Sequence, residues 1–381
     1  MKQHKYTHTQ VSAGITLAIL VMVLLAILPL LRAIQASSHQ PSNNARVQQP
    51  NAPASAPPLP GVRVSGNRLV NAQGQAVVLH GVNRSGTEYA CIQGWGIFDG
   101  PADAASVQAI QSWHVNAVRV PLNEDCWLGI NGVLPQFSGA NYQRAIINYV
   151  RLLNQYGMYV ILDLHWSAAG GAQALNQQPM PDEDHSPAFW KAVAAAFKHN
   201  TAVLFDLFNE PYPDHNAANT QAAWQCWKNG GSCSGVSYTA AGFQQLVNVV
   251  RATGAQNVIM LGGIGYAASL AQWLTYMPSD PLHDIAASWH VYNKTWCAAL
   301  SCWNSQVAAV IKRVPVIAGE MGEMDCKDTF IDPLMNWLDQ HHTGYLAWAW
   351  NTFSCSLEPS LITNYNGTPT PYGMGIRNHL L

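Results

Sequence analysis

The chain has 381 residues, enough for one large domain or two ordinary ones, and 49% of them are hydrophobic. Only 10% are charged, and 19 lysines and arginines against 21 aspartates and glutamates provide no basic surface of the kind that binds nucleic acid. The 14 tryptophans and 14 tyrosines suit a large core, and they also suit a flat, neutral, ring-shaped ligand.

The N-terminal region is predicted to enter a membrane. Residues 11–31 carry no charge and follow a segment, residues 1–10, that contains Lys2 and Lys5. As a helix, this stretch would span roughly 30 Å of hydrocarbon, with the positive flank in the cytoplasm. The sequence at the end of this stretch, LRAIQASS, is a poor signal-peptidase cleavage site. We therefore predict a membrane anchor over residues 11–34, with a cleaved signal peptide as the alternative. Both place the rest of the chain outside the cytoplasm.

Residues 35–60 are rich in proline, serine, alanine and asparagine. Such a composition cannot bury a core, which predicts a disordered linker. A single folded domain is then expected over residues 61–381.

Within this domain, short apolar strands alternate with amphipathic helices. Residues 62–77 predict a small hairpin with its turn near residues 72–74. Eight strands are predicted at 76–83, 116–122, 159–166, 203–210, 257–263, 285–292, 314–320 and 344–350. Residues 142–157 are typical of the intervening helices, with apolar side chains on one face. The repeat predicts an α/β fold with eight parallel strands in a closed (β/α)8 TIM barrel, and an open, doubly wound sheet is the alternative.

Polar and glycine residues collect at the carboxyl ends of the predicted strands. In a barrel these ends share one rim, where active sites are built. The residues are Asn83, Arg119, His165, Asn209, Glu210, Gly262, Gly263, Gly265, His290, Tyr292, Glu320 and Trp350.

The eight cysteines all fall in loops on that same face, and they indicate an oxidising compartment. No pair is spaced as CxxC, which argues against a zinc ribbon. From the positions of the loops we predict the disulfides Cys91–Cys126, Cys226–Cys233, Cys297–Cys302 and Cys326–Cys355.

Two glutamates suggest the chemistry, Glu210 after the fourth strand and Glu320 after the seventh. Paired carboxyl groups suit glycoside hydrolysis, at roughly 5–5.5 Å apart for retention or about 6.5–9.5 Å for inversion. Arg119, His290 and Tyr292 can serve Glu320 as an ionised nucleophile. Burial and a neighbouring carboxylate would keep Glu210 protonated as the acid.

Several short motifs, taken in their order along the strands, resemble glycoside hydrolase family 5, the cellulase family of the retaining (β/α)8 clan. They are AVRVP (117–121), DLHW (163–166), NEP (209–211), WHVY (289–292), AGE (318–320) and WAWN (348–351). The resemblance spans about Val62 to Arg377, and it implies Glu210 as acid/base and Glu320 as nucleophile.

The same resemblance implies substrate-binding roles for six further residues. Arg119 and Tyr292 would lie near the nucleophile and His290 near the acid/base, while His165 and Asn209 would hold the attacked sugar. Trp350 would stack beneath that sugar, and the peptide Trp350–Asn351 is expected to be cis. The segments 83–101 and 212–235 are not general family motifs, which leaves the substrate open.

Other signals are weaker. The glycine-rich segment 262–269 lies in the fifth unit, whereas a dinucleotide site would open the first, so we expect no nucleotide. We expect no metal and no cofactor, and we expect a monomer.

The sequence therefore predicts an extracytoplasmic, membrane-tethered or secreted endo-β-1,4-glucanase that acts on polysaccharide. A β-mannanase, a β-1,3-glucanase and a carbohydrate-binding barrel without turnover are the alternatives.

Overall fold

The computed structural model describes residues 59–215 and 220–381. The predicted anchor, and all but the last two residues of the predicted linker, lie outside these ranges. Within these two ranges, no helix combines the length and the apolar character needed to cross a bilayer.

Eight parallel strands close into a barrel, which confirms the predicted fold class. In chain order we label them β1 to β8. They are β1 His80–Asn83, β2 Ala117–Asn123, β3 Tyr159–Trp166, β4 Val203–Asp206, β5 Ile259–Gly262, β6 Ile285–Tyr292, β7 Val316–Gly322 and β8 Gly344–Ala347. Each strand pairs with its neighbour in chain order, and β8 pairs with β1 to close the barrel.

Several predicted boundaries were wrong. Strand β4 ends at Asp206 rather than at residue 210, although the next backbone groups still bond to both neighbouring strands. Leu207 N donates to Met260 O at 3.1 Å, and Asn209 N donates to Leu164 O at 3.0 Å. Strand β8 ends at Ala347, three residues earlier than predicted.

The predicted N-terminal hairpin is a three-stranded antiparallel sheet of Val62–Ser65, Arg68–Asn71 and Ala76–Val77. Residues 76–77, which were predicted to begin the first barrel strand, instead form the third strand of this sheet. Two further small sheets pair Gly230–Ser232 with Thr239–Ala241 and Ile362–Asn364 with Thr368–Pro369.

Helices surround the barrel, and Ala140–Gln155 shows why they form. Its residues Ile146, Tyr149, Val150 and Leu153 are buried on one face, as their spacing of three and four predicts. The other α-helices are Ala104–Gln111, Glu124–Leu128, Ser186–Phe197, Gln221–Asn229, Phe243–Ala252, Trp273–Tyr276, Leu300–Cys302, Ala308–Ile311, Ile331–Gln340 and Pro371–Leu380. A 3-10 turn, Pro135–Phe137, and a π-helical turn, Trp303–Val307, are the remaining helical segments of residues 59–215 and 220–381.

Two apolar clusters stabilise the fold. The larger lies between strands and helices, and a smaller one, including Ile161, Leu204, Met260 and Ile317, packs between the barrel strands and the N-terminal sheet. The polar rim therefore rests on a solid apolar base rather than over an open pore.

The eight cysteines form the disulfides Cys91–Cys126, Cys226–Cys233, Cys297–Cys302 and Cys326–Cys355, the pairing expected from the loop positions. Each joins segments that follow the carboxyl ends of the strands, but Cys126, Cys226 and Cys302 lie in helices rather than in the predicted loops. A disulfide typically stabilises a protein by about 2–4 kcal/mol.

Candidate active site

Arg119 lies at the centre of the barrel and is fully buried. Its guanidinium contacts Asp163 of β3 at 3.1 Å and Asp206 of β4 at 3.2 Å. Burial alone would lower the pKa of Arg119, but Asp163, Asp206 and Glu320 outweigh this effect and raise it. A cation with this many fixed partners cannot change its position without breaking several charged hydrogen bonds.

Glu320 of β7 is held by donors on both of its oxygens. Arg119 Nη1 donates to Oε1 at 2.8 Å, and the Tyr292 hydroxyl donates to Oε2 at 2.6 Å. Burial, followed by the charge of Glu320, raises the pKa of Tyr292 well above its usual value, so this hydroxyl keeps its proton. Gly322 makes room for the tyrosine, because a Cβ there would lie 2.7 Å from its ring.

Glu210 lies in the loop after β4 and is less buried than Glu320. Its Oε1 lies 3.0 Å from His290 Nδ1. Burial raises the pKa of Glu210, against the lowering effects of a hydrogen bond from Gln177 and of the charges of His165 and Arg119.

His290 is fully enclosed, and burial lowers its pKa to about 3. The imidazole is therefore neutral near pH 7. Its Nδ1 lies 3.0 Å from Glu210 and 3.6 Å from Glu320, so it separates the two carboxyl groups without adding a charge.

The two carboxyl groups lie close together. One oxygen of Glu210, one of Glu320 and one nitrogen of His290 are all within 4.8 Å of one another. This separation fits the shorter of the two distances found in glycosidases, about 5–5.5 Å.

The same atoms are near enough to hold a metal ion, as are those of a second group, Glu124, Asp182 and His185. In that second group the Ser186 hydroxyl donates to Glu124 at 2.7 Å and to Asp182 at 3.2 Å. The contact with Glu124 joins the start of the helix Ser186–Phe197 to the helix Glu124–Leu128 that follows β2.

Asn209 and Asn83 flank the arginine. Arg119 Nη2 donates to Asn209 Oδ1 at 3.0 Å, which leaves the Asn209 amide nitrogen to reach Gln177 at 3.0 Å. Asn83 accepts from Arg119 Nη1 at 3.1 Å and donates to the carbonyl of Gly319 at 2.9 Å. The amide of Asn209 therefore lies at the rim beside Glu210.

His165 forms the opposite wall. Its Nδ1 lies 2.8 Å from Asp163 Oδ2, and its ring stacks on that of Trp348 with centroids 5.3 Å apart and planes at 10°. Burial alone would lower the pKa of His165, but Asp163, Glu88 and Glu320 together outweigh this effect and raise it.

Trp350 is not in this wall, and its predicted role as a stacking platform was wrong. It is fully buried, its ring packs edge-on against Trp113 at 4.8 Å, and its backbone N donates to Asn83 O. The place predicted for Trp350, beside His165, is occupied by the half-buried Trp348. The cis peptide bond is likewise Trp348–Ala349 rather than Trp350–Asn351.

The structure thus brings together Glu210, Glu320, Arg119, His165, Asn209, His290 and Tyr292, and it excludes Trp350 from the cleft. Sequence reasoning missed Asp163 and Asp206, which orient Arg119. A signal was available, because an aspartate inside an apolar strand is costly to bury without a partner. It also missed Gln177, whose position in an irregular loop carries no recognisable pattern.

Glu88 was missed as well. It is 2% exposed and accepts a hydrogen bond from Gly86 N at 2.6 Å. Burial raises its pKa to about 7, and the nearby charge of His165 acts against that rise.

Comparison with known proteins identifies the family and the fold. Residues 70–354 match the family described as cellulase (glycosyl hydrolase family 5). A mannan endo-1,4-beta-mannosidase from Salipaludibacillus agaradhaerens is 22% identical over 303 residues, which is 76% of this chain and 81% of that protein.

Two solved structures share the fold. The beta-glucanase SdGluc5_26A from Saccharophagus degradans, in complex with cellotetraose, has a TM-score of 0.66 at 20% identity and covers 88% of this chain and 98% of its own. A beta-mannanase from Thermomonospora fusca has a TM-score of 0.61 at 20% identity, with coverages of 84% and 97%. Because the matched region spans three quarters of the chain and the whole barrel, this protein belongs to glycosyl hydrolase family 5 and is a glycosidase.

Proposed function

We propose that the enzyme hydrolyses β-1,4-linked polysaccharide within the chain, with retention of configuration, by double displacement on Glu320 and Glu210. The approach of the two carboxyl groups to within 4.8 Å carries this proposal. An inverting enzyme needs room between them for a water molecule, at about 6.5–9.5 Å.

In the first step, a Glu320 oxygen attacks the anomeric carbon of the bound sugar. The bond from that carbon to the glycosidic oxygen breaks, and Glu210 gives its proton to the departing oxygen. Arg119 and Tyr292 fix the attacking carboxylate by hydrogen bonds of 2.8 and 2.6 Å. Fixed donors of this kind need no reorganisation during the reaction.

In the second step, Glu210 is ionised and takes a proton from water. The water oxygen bonds to the anomeric carbon, the bond to Glu320 breaks, and both carboxyl groups return to their starting states. Neutral His290 assists because it adds no positive charge that would hold Glu210 permanently ionised. Two inversions at one carbon give net retention.

Trp348, His165 and Asn209 are proposed to bind the attacked sugar. The half-exposed indole offers an apolar face to the ring, and the amide of Asn209 offers hydrogen bonds to a hydroxyl. Arg119 and Tyr292 bind on the nucleophile side, and His290 lies beside the acid.

β-1,4-Glucan is the proposed substrate, supported by the cellotetraose complex of the Saccharophagus glucanase. Mannan is the second candidate, because a mannan endo-1,4-beta-mannosidase is among the relatives. Both share the β-1,4 linkage.

We also propose an extracytoplasmic location. The four disulfides are typical of an oxidising compartment. Residues 11–34 would tether the catalytic domain 61–381 to the membrane through the linker 35–60, with residues 1–10 in the cytoplasm, and the enzyme would act as a monomer.

A polysaccharide panel tests the proposed function. Purified enzyme is incubated with carboxymethylcellulose, mannan and a β-1,3-glucan, and new reducing ends are measured, with Glu320→Gln as the matched inactive control. We expect reducing ends from a β-1,4-linked polymer with the wild type alone. The proposal fails if no polymer is cut, or if Glu320→Gln cuts as well as the wild type.

A further inference from the structure

A group of aromatic side chains lies beside the catalytic centre and takes no part in the chemistry above. We call Tyr89, Trp95 and Phe353 the rim platform. The Tyr89 ring centroid is 5.8 Å from that of Trp95 and 6.4 Å from that of Phe353. These rings come from the loops after β1 and β8, which are neighbours in the closed barrel.

The rim platform lies next to the strand that carries His165. Tyr89 lies 6.2 Å from Trp166, the residue that follows His165. His165 in turn stacks on Trp348. Aromatic rings therefore lie both at the proposed site of the attacked sugar and at the outer edge of the rim.

The loop that carries Trp95 is fixed in place. The disulfide Cys91–Cys126 ties it to the helix Glu124–Leu128 that follows β2, and the Tyr89 hydroxyl donates to Asp99 at 2.6 Å. Trp95 N also donates to Ala90 O at 3.1 Å. A ligand that binds here does not have to order the backbone, so less of the contact energy is lost on association.

The rings are exposed despite this rigid support. Trp95 is 59% and Phe353 39% exposed. Adjacent exposed aromatic rings mark a binding surface in soluble proteins. The C–H faces of a pyranose ring bury apolar area against such rings, while the hydroxyl groups at the ring edge remain in water.

The position of Glu210 indicates which part of the substrate meets the platform. Glu210 follows β4 and protonates the departing oxygen, so the released part of the chain lies on the β4 side of the centre. The rim platform lies on the loops after β8 and β1, on the opposite side of the closed barrel. We infer that the rim platform binds a sugar of the glycone portion two or more positions beyond the attacked one, and so makes longer chains better substrates; this inference rests on the proposed function.

A series of 4-nitrophenyl β-glycosides of cellobiose, cellotriose and cellotetraose tests it, because every sugar then lies on the glycone side of the bond cleaved. Trp95→Ala should lower kcat/KM by about tenfold for the longest glycoside that spans the platform, while the cellobioside stays within about twofold of wild type. Trp95→Phe keeps a ring and should restore much of the loss.

Trp296 supplies a matched control. It is also 59% exposed and lies beside a disulfide, Cys297–Cys302, but it is not among the rings that contact Tyr89. Trp296→Ala should leave the dependence on chain length unchanged. Equal losses at all three lengths for Trp95→Ala, or the same length-dependent loss for Trp296→Ala, would overturn the inference.

A binding experiment separates this inference from the proposed function. If wild-type enzyme cleaves none of the glycosides, the proposed glucan hydrolysis fails, and binding decides the platform. Cellotetraose, mannotetraose and cellobiose are titrated into the Glu320→Gln protein with and without Trp95→Ala. A tetraose that binds about tenfold more weakly without Trp95, with cellobiose unaffected, supports the platform. Equal affinity for both tetraoses with and without Trp95, or no measurable tetraose binding, contradicts it.

Discussion

The two glutamates of the catalytic centre are the same residue type in different surroundings. Glu320 lies on a strand, is 3% exposed and accepts hydrogen bonds from a guanidinium and a phenol. Glu210 lies in a loop, is less buried and contacts a neutral imidazole, and burial raises its pKa. Under the proposed mechanism, this difference in donors, charge and burial would make one glutamate a nucleophile and the other an acid.

The largest expected effect comes from removing the nucleophile. Glu320→Gly should lower kcat on the order of 10⁵-fold, because the covalent step loses its attacking atom. Added azide should enter the vacated space and attack the anomeric carbon once, giving a glycosyl azide of inverted configuration. Product analysis by NMR with an aryl glycoside measures this.

Removing the acid should have a smaller effect that depends on the leaving group. Glu210→Ala should lower kcat/KM for cello-oligosaccharides by about 10²–10⁴-fold, the usual contribution of general acid catalysis. A dinitrophenyl glycoside, which leaves without a proton, should lose much less. Azide should here intercept the glycosyl-enzyme and give a product of retained configuration.

The configurations of the two azide products test whether the glutamates differ in role. Glycosyl azides of the same configuration from both variants would contradict the assignment of Glu320 and Glu210 to different roles. A retained product from Glu320→Gly and an inverted product from Glu210→Ala would show that the two roles are reversed.

A third carboxyl group extends the comparison to stability. Glu88 has a pKa raised by burial from 4.5 to about 7, so the folded protein binds its proton more tightly than the unfolded chain. The stability that this proton contributes is present below about pH 4.5 and is lost as pH rises through about 7. Glu88→Gln keeps the hydrogen-bonding shape, so between pH 5 and pH 8 the wild type should lose about 2–3 kcal/mol more unfolding free energy than the variant.

Urea unfolding of both proteins at the two pH values, with disulfides intact, measures this difference. Asp206, whose pKa burial also raises to about 7, is present in both and cancels. Parallel pH dependence in the two proteins would show that Glu88 does not titrate in this window.

The barrel could be predicted from sequence because each of its units repeats the same pattern of strand and amphipathic helix. The polar ends of the strands then indicated Arg119, Glu320 and His290, which share one rim in any closed barrel. Glu210 was identified from the NEP motif, although the regular strand ends before it. Its place depends on two irregular backbone bonds to the neighbouring strands, which no strand pattern predicts.

The tryptophans show where the pattern fails. Trp348 and Trp350 have the same parity, so alternation along a strand places both on one face. Strand β8 ends at Ala347, and beyond that point alternation carries no information. Tertiary packing then decides that Trp350 is buried against Trp113 and that Trp348 faces the cleft. The contacts of the loops, including Gln177 and the rim platform, depend on packing in the same way.

The anomeric configuration of the first product tests the central claim most directly. Wild-type enzyme is mixed with cellotetraose, or with mannotetraose if that is the oligosaccharide cleaved, and proton NMR spectra are recorded before mutarotation equilibrates the anomers. With Glu320 as nucleophile and Glu210 as acid/base, the β-anomer appears first and the α-anomer grows in only as mutarotation proceeds. Initial release of the α-anomer would contradict double displacement on these two glutamates.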